Sequence, residues 1–174
     1  LMAAGEIAVR TQPDRVTVVS PDKPGTFSRI AGVLSLYNMD VLGAEAHSDE
    51  QGMAASEFRV SSQHGEINWD PIVGNLKLAL SGRLSLDSRL ADRAANTRPR
   101  RATSAVAPAA PSVRFDDSAS SNATFIEVRA PDMVGVLHRI TKAMADFGLD
   151  IRHARVLTLG DEVVDSFYVR ESDG

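Results

Sequence analysis

The chain has 174 residues, 43% of them hydrophobic and 24% charged, with a formal net charge of −4, enough for one medium domain or two small ones. That acidic balance argues against general binding to nucleic acid, whose phosphate backbone selects a basic excess. With no cysteine, neither a disulfide framework nor a thiolate metal site can form, in keeping with a reducing, cytoplasmic setting.

Residues 1–14 read as an N-terminal tail. The opening LMAAGEIAVR has one late arginine and no charged region ahead of a long apolar core, so it does not read as a signal peptide. No apolar run approaches the roughly 20 residues of a membrane-spanning helix. Because position 1 is Leu, the chain is expected to be a piece of a longer protein.

Arg15-Val16-Thr17-Val18-Val19-Ser20 is β-branched and alternating, the pattern of a strand. Pro21-Asp22-Lys23-Pro24-Gly25 ends it with turn residues. Phe27, Ile30, Leu34 and Tyr37 then share one helical face, predicting a helix from about Pro24 to Tyr37. Asn38 follows, where a helix often ends in a left-handed residue. Two strands come next, about Met39–Ser48 and Ala54–Ser61. A second helix opens with Asn68 or Asp70 as its cap, Pro71 in its first turn, and Ile72, Val73, Leu76 and Leu80 as its apolar stripe. It ends near Gly82 unless Leu84, Leu86 and Leu90 prolong it.

Residues of about 84–111 read as an insertion whose later part, RPRRATSAVAPAAP, has the Pro/Ala-rich, basic composition of an exposed linker. A short strand at Ser112–Phe115 is expected to close the first unit, which spans residues 15–117. The order then repeats. PDKPGTFSRI at Pro21–Ile30 returns 110 positions later as PDMVGVLHRI at Pro131–Ile140. A strand at Ala123–Ala130 precedes it, and a helix carrying Leu137, Ile140, Met144 and Phe147 follows. Gly148 stands where the first copy has Asn38, and strands at about Leu149–Thr158 and Val163–Arg170 complete the second unit, residues 118–174. This copy stops at β-α-β-β, without a last helix and strand. Its core is therefore expected to be partly uncovered, which favours a homodimer.

A turn that feeds a helix N-terminus offers free N–H groups and the positive end of a dipole to an anion, a carboxylate for example. Asp22 and Asp132 in the turns, or Asp40 and Asp150 at the following strands, can accept hydrogen bonds from an ammonium group. Such parts suit a free amino acid, although a Pro-Gly turn with a capping aspartate has the same composition. His47, His64, His138 and His153 lack metal-ligand spacing and are expected in surface or half-buried roles. Asp161, Glu162 and Asp165 read as a polar hairpin. No catalytic constellation stands out.

The repeated β-α-β-β with PDxxG at its first turn resembles the ACT domain. The second copy, with DIRHARV at Asp150–Val156 and GDEVVDSF at Gly160–Phe167, resembles the last ACT repeat of the bacterial PII uridylyltransferase/uridylyl-removing family. The first copy and the basic proline-containing insertion fit as well. The resemblance implies an α+β fold of two ferredoxin-like ACT domains, βαββαβ, the second lacking its last helix and strand. It implies a regulatory region that senses L-glutamine and is not itself an enzyme. Magnesium is expected only in upstream nucleotidyltransferase and hydrolase domains, which act on the PII protein by uridylyl or adenylyl transfer.

Carried onto this sequence, the effector site lies between the units. Asp22, Lys23, Pro24 and Gly25 supply one turn, Asp132, Met133, Val134 and Gly135 the other, with Asp40 and Asp150 beside them. The alternative is a docking module for the catalytic domains or PII that binds no small molecule. RNA recognition on the sheet, through Phe58, Phe167 and Tyr168, lacks the basic aromatic-rich run it needs.

Overall fold

A computed structural model describes residues 6–97, 110–118 and 121–172. The first unit contains strands β1 (Ala8–Gln12), β2 (Arg15–Pro21), β3 (Met39–Ser48) and β4 (Met53–Ser62), with helix α1 (Thr26–Leu36) between β2 and β3. Helices α2 (Trp69–Leu80) and α3 (Leu86–Asn96) follow β4. The second unit has strands β5 (Ser112–Asp116), β6 (Thr124–Pro131), β7 (Leu149–Leu159) and β8 (Glu162–Glu171), with α4 (Val136–Asp146) between β6 and β7. The strands form one eight-stranded sheet in the order β1-β2-β4-β3-β7-β8-β6-β5, and every neighbouring pair is antiparallel. The α+β class and the twofold repeat thus agree with the sequence.

Period-two alternation puts Val16, Val18, Phe58, Val60, Ile126, Val128, Phe167 and Val169 inside. One cross-strand row runs Val16, Phe58, Ala44, Ala154, Phe167, Ile126 through both units, and all six are buried. Burying Phe58 and Phe167 completely contributes roughly 1.5–3 kcal/mol each. Their position in this row removes them from any nucleic-acid surface. Plain alternation fails in β3, where Val41 and Ala44 have opposite parity yet both face the core. A bulge between Val41 and Gly43 restores the facing, and β7 repeats it between Ile151 and His153.

The units join where β3 pairs with β7, through Gly43↔Arg155, Ala44↔Ala154 and Glu45↔His153. Counted along the repeat, Gly43, Ala44 and Glu45 correspond to His153, Ala154 and Arg155. The register is therefore self-complementary, a pseudo-twofold about Ala44 and Ala154.

Three expectations need correction. The tail contributes β1, which pairs along β2 and fills the outer edge of the first unit. The strand at Ser112–Asp116 does not close that unit; it pairs with β6. Only residues 117–123 separate it from β6, so this hairpin closes a short loop at small entropic cost. The insertion is not all linker, since α3 lies within it; residues 98–109 of the linker fall outside those described. Asn68, not Asp70, caps α2, accepting the Asp70 amide at 3.3 Å. Asn38 and Gly148 both take the left-handed conformation expected of them.

The second unit is less covered than the first. In the first, α2 seals the end of α1, with Asn75 Nδ2 donating to Tyr37 Oη at 2.6 Å. The equivalent Phe147 is 82% exposed, and Val113 and Phe115 on β5 are exposed too. Phe115 pairs with buried Ile126, so the core row runs out into solvent there.

Ala154→Leu places three extra carbons at the seam opposite Ala44. It is expected to destabilise the fold by about 1–3 kcal/mol, read as a lower urea midpoint. Exposed Ala55→Leu in β4 should shift it by no more than about 0.5 kcal/mol.

Candidate functional site

Each unit turns from strand into helix with the same geometry. The Asp22 amide donates to Gly52 O at 2.8 Å and the Asp132 amide to Asp161 O at 2.9 Å, tying each turn to its own hairpin. Gly25 (φ 81) and Gly135 (φ 77) occupy the N-cap positions of α1 and α4 in the left-handed conformation. That is the requirement behind the repeated glycine, because a Cβ is strained there. The helices are capped by these glycines, and neither turn aspartate serves as N-cap.

The β3–β7 seam packs α1 against α4 in opposite directions, which brings each turn to the far end of the other unit's helix. Gly25 shares a groove with Lys142, Ala145 and Asp146 at the end of α4. The Gly135 amide donates to Ser35 Oγ, near the end of α1, at 2.9 Å. The groove at the first turn has a volume of about 440 Å³. Its walls are Pro24, Gly25, Ser28 and Arg29 from the first turn and α1, Leu84–Ser88 at the start of α3, and His138, Lys142 and Asp146 from α4. Cationic Arg29 and Lys142 suit a carboxylate, and Asp87 and Asp146 suit an ammonium group. Lys142 Nζ and Asp146 Oδ2 now pair with each other at 3.1 Å. The volume is that of a small-ligand site.

Of the residues singled out in the sequence, Pro24 and Gly25 line this groove. Asp22 and Lys23 are exposed at its turn. Asp150 is half-buried at the start of β7 and pairs with Arg152 at 3.0 Å. Burial raises its carboxyl above the usual range, Arg152 opposes this, and the charge of Asp22 raises it further. Asp40 is exposed and accepts from Gln63 Nε2 at 3.0 Å. Around the second turn Asp132 and Met133 are exposed, Val134 packs partly against the core, and Gly135 is buried.

Two residues were misjudged in the sequence. His138 is only 4% exposed, with Nδ1 2.7 Å from Ser28 O and Nε2 2.8 Å from Asp87 Oδ1. A lone helical histidine carries no sequence signal of partners this remote. Asp165 belongs to β8, not to the polar hairpin, and is 0% exposed. No well-formed hydrogen bond reaches either of its carboxylate oxygens among the described residues, the Leu157 backbone offering only a weak one. Burial pushes its carboxyl up to about 7, an interaction with the Leu157 backbone offsets part of this, and the charge of Asp132 adds to it.

Residues 124–174 match the ACT domain family, and the second unit is an ACT domain. The chain as a whole is similar to part of several bifunctional uridylyltransferase/uridylyl-removing enzymes. It is 36% identical to that of Gluconobacter oxydans over 90% of this chain and 17% of the relative. It is 37% identical to that of Streptomyces coelicolor over 90% of this chain and 19% of the relative. With the enzyme of Rhodospirillum rubrum the identity is 34% over 97% of this chain and 19% of the relative. The chain thus spans under a fifth of the length of these relatives. No solved structure gives a significant match.

Asp165 makes stability depend on pH. Its folded pKa, about 7, lies above the ordinary value of 3.8, so the folded state keeps a proton that the unfolded chain releases. Stability is expected to fall as pH rises from about 4 to about 7, by up to on the order of 4 kcal/mol. Asp165→Asn should remove most of this slope, matching the parent near pH 4 and exceeding its urea midpoint at pH 8. Asp150 slopes the same way in both proteins, so the difference between them isolates Asp165.

Proposed function

We propose that this chain is the amino-acid-sensing regulatory region of a bifunctional uridylyltransferase/uridylyl-removing enzyme, and that L-glutamine is its effector. It lies toward the C-terminal end of a cytoplasmic protein whose other domains carry out magnesium-dependent transfer to PII and its reversal. Uridylyl and adenylyl transfer are both compatible with these residues. The observation that carries this reading is the groove between the units, where the turn at Pro24 and Gly25 faces Arg29, Lys142 and Asp146. A carboxylate and an ammonium group from one small molecule find complementary charges there. The choice of L-glutamine among amino acids follows from the resemblance of the repeated PDxxG units to glutamine-sensing ACT repeats.

Bound glutamine bridges α1 of one unit and α4 of the other, so it favours the arrangement of units in which both walls fit. The catalytic domains shift toward removal by as much as glutamine's affinity differs between the two arrangements. A second reading, a docking module without a small ligand, draws on exposed Val113, Phe115 and Phe147.

Calorimetric titration with L-glutamine, against L-glutamate, glycine and D-glutamine, separates the two. Saturable, L-glutamine-selective heat is expected, weakened about tenfold or more by Arg29→Ala or Lys142→Ala through loss of a charge-assisted hydrogen bond. No heat from folded protein would overturn the sensor and leave the docking module.

A further inference from the structure

The pseudo-twofold relates two inter-unit clefts, one at each turn, yet the structure treats them differently. Gly25 is half-buried beside an open groove, whereas Gly135 is buried. The cause is α3, which has no counterpart among the described residues of the second unit. It lies along the α1–α4 seam. Leu86 sits against Gly32 of α1, where an added Cβ would meet Leu86 Cδ2 at 2.7 Å and His138 Nδ1 at 2.8 Å. One turn further on, Leu90 sits against Gly135, whose added Cβ would meet Leu90 Cδ2 at 3.5 Å. Both leucines are buried.

Between them, His138 of α4 stands with Nε2 2.8 Å from Asp87 Oδ1 of α3 and Nδ1 2.7 Å from Ser28 O of α1. One imidazole thereby fastens three helices.

We propose that α3 is a strap that closes the cleft at the second turn to small ligands while leaving the cleft at the first turn open, with the His138–Asp87 contact as its fastening. The turns themselves support the asymmetry. Ser35 accepts the Gly135 amide at 2.9 Å, whereas the position equivalent to Ser35 is Ala145, which has no hydroxyl to offer Gly25. Asp87 and His138 also line the open groove, so a ligand there touches the fastening. The consequence for ligand binding rests on the amino-acid-sensor reading; the strap itself does not.

Amide hydrogen exchange on the whole chain tests the strap without any ligand. After correction for intrinsic rates, Gly135 and Val136 should exchange more slowly than Gly25 and Thr26. Asp87→Ala removes an exposed carboxylate and should speed exchange across α3 and the second turn by about tenfold, with β3 and β7 unchanged as proof of an intact fold. Gly32→Ala should do the same, although helix propensity alone would make it stabilising. Equal protection at the two turns, or variants that leave α3 and the second turn unaffected, would overturn the strap. Titration with L-glutamine adds an independent arm. One molecule per chain in the parent and a second in Leu90→Ala are expected, and two in the parent would overturn the closure. Complete silence would sink the amino-acid reading while the exchange data still decide the strap.

Discussion

Three residue pairs between β3 and β7 set the geometry of everything else, and they can do so because alanine stands at the centre on both sides. Ala44 and Ala154 are buried beneath the helices, and a larger side chain at either position would lift α1 and α4 off the seam. The two bulges just before them turn each strand so that these alanines, and not their neighbours, face inward. With the seam fixed, α1 and α4 pack in opposite directions, and the turn of one unit meets the helix end of the other. A site between units is thus a consequence of sheet register.

Symmetry of backbone is not symmetry of chemistry. The repeat places Ser28 opposite His138 and Ser35 opposite Ala145, and these small differences decide which turn is satisfied by protein and which faces open space. The insertion adds a helix, α3, on one side of the pseudo-axis, and the strand that follows it, β5, lies on the far edge of the sheet. The second unit obtains an edge strand from before its first strand and, among the described residues, no helix equivalent to α2. Its cost is apolar surface at Phe115 and Phe147, the surface on which a docking partner would gain most.

Much of the fold was legible locally. Arg15–Ser20, Met39–Ser48 and the two helices with Phe27 and Leu137 follow from alternation and from the 3.6-residue period, and the repeat confirmed each copy by the other. The misread parts share a physical cause. Ala8–Gln12 and Ser112–Asp116 are short edge strands whose partners are chosen by what lies beside them. The α3 segment is polar overall, and its two buried leucines matter only because Gly32 and Gly135 leave room for them. Asp165 looked like hairpin because it follows Asp161 and Glu162, but strand parity turns it inward beside Val163 and Phe167.

By itself, then, the sequence determined the two repeated units, their elements, and the glycine turns at the helix starts, since these depend on side-chain periodicity and on the φ that glycine permits. Pairing across β3 and β7, the choice of edge strands, the seating of α3, and the meeting of His138 with Ser28 and Asp87 were decided in three dimensions. They join residues far apart in the chain, where no local pattern reaches and only register and close packing select the partner.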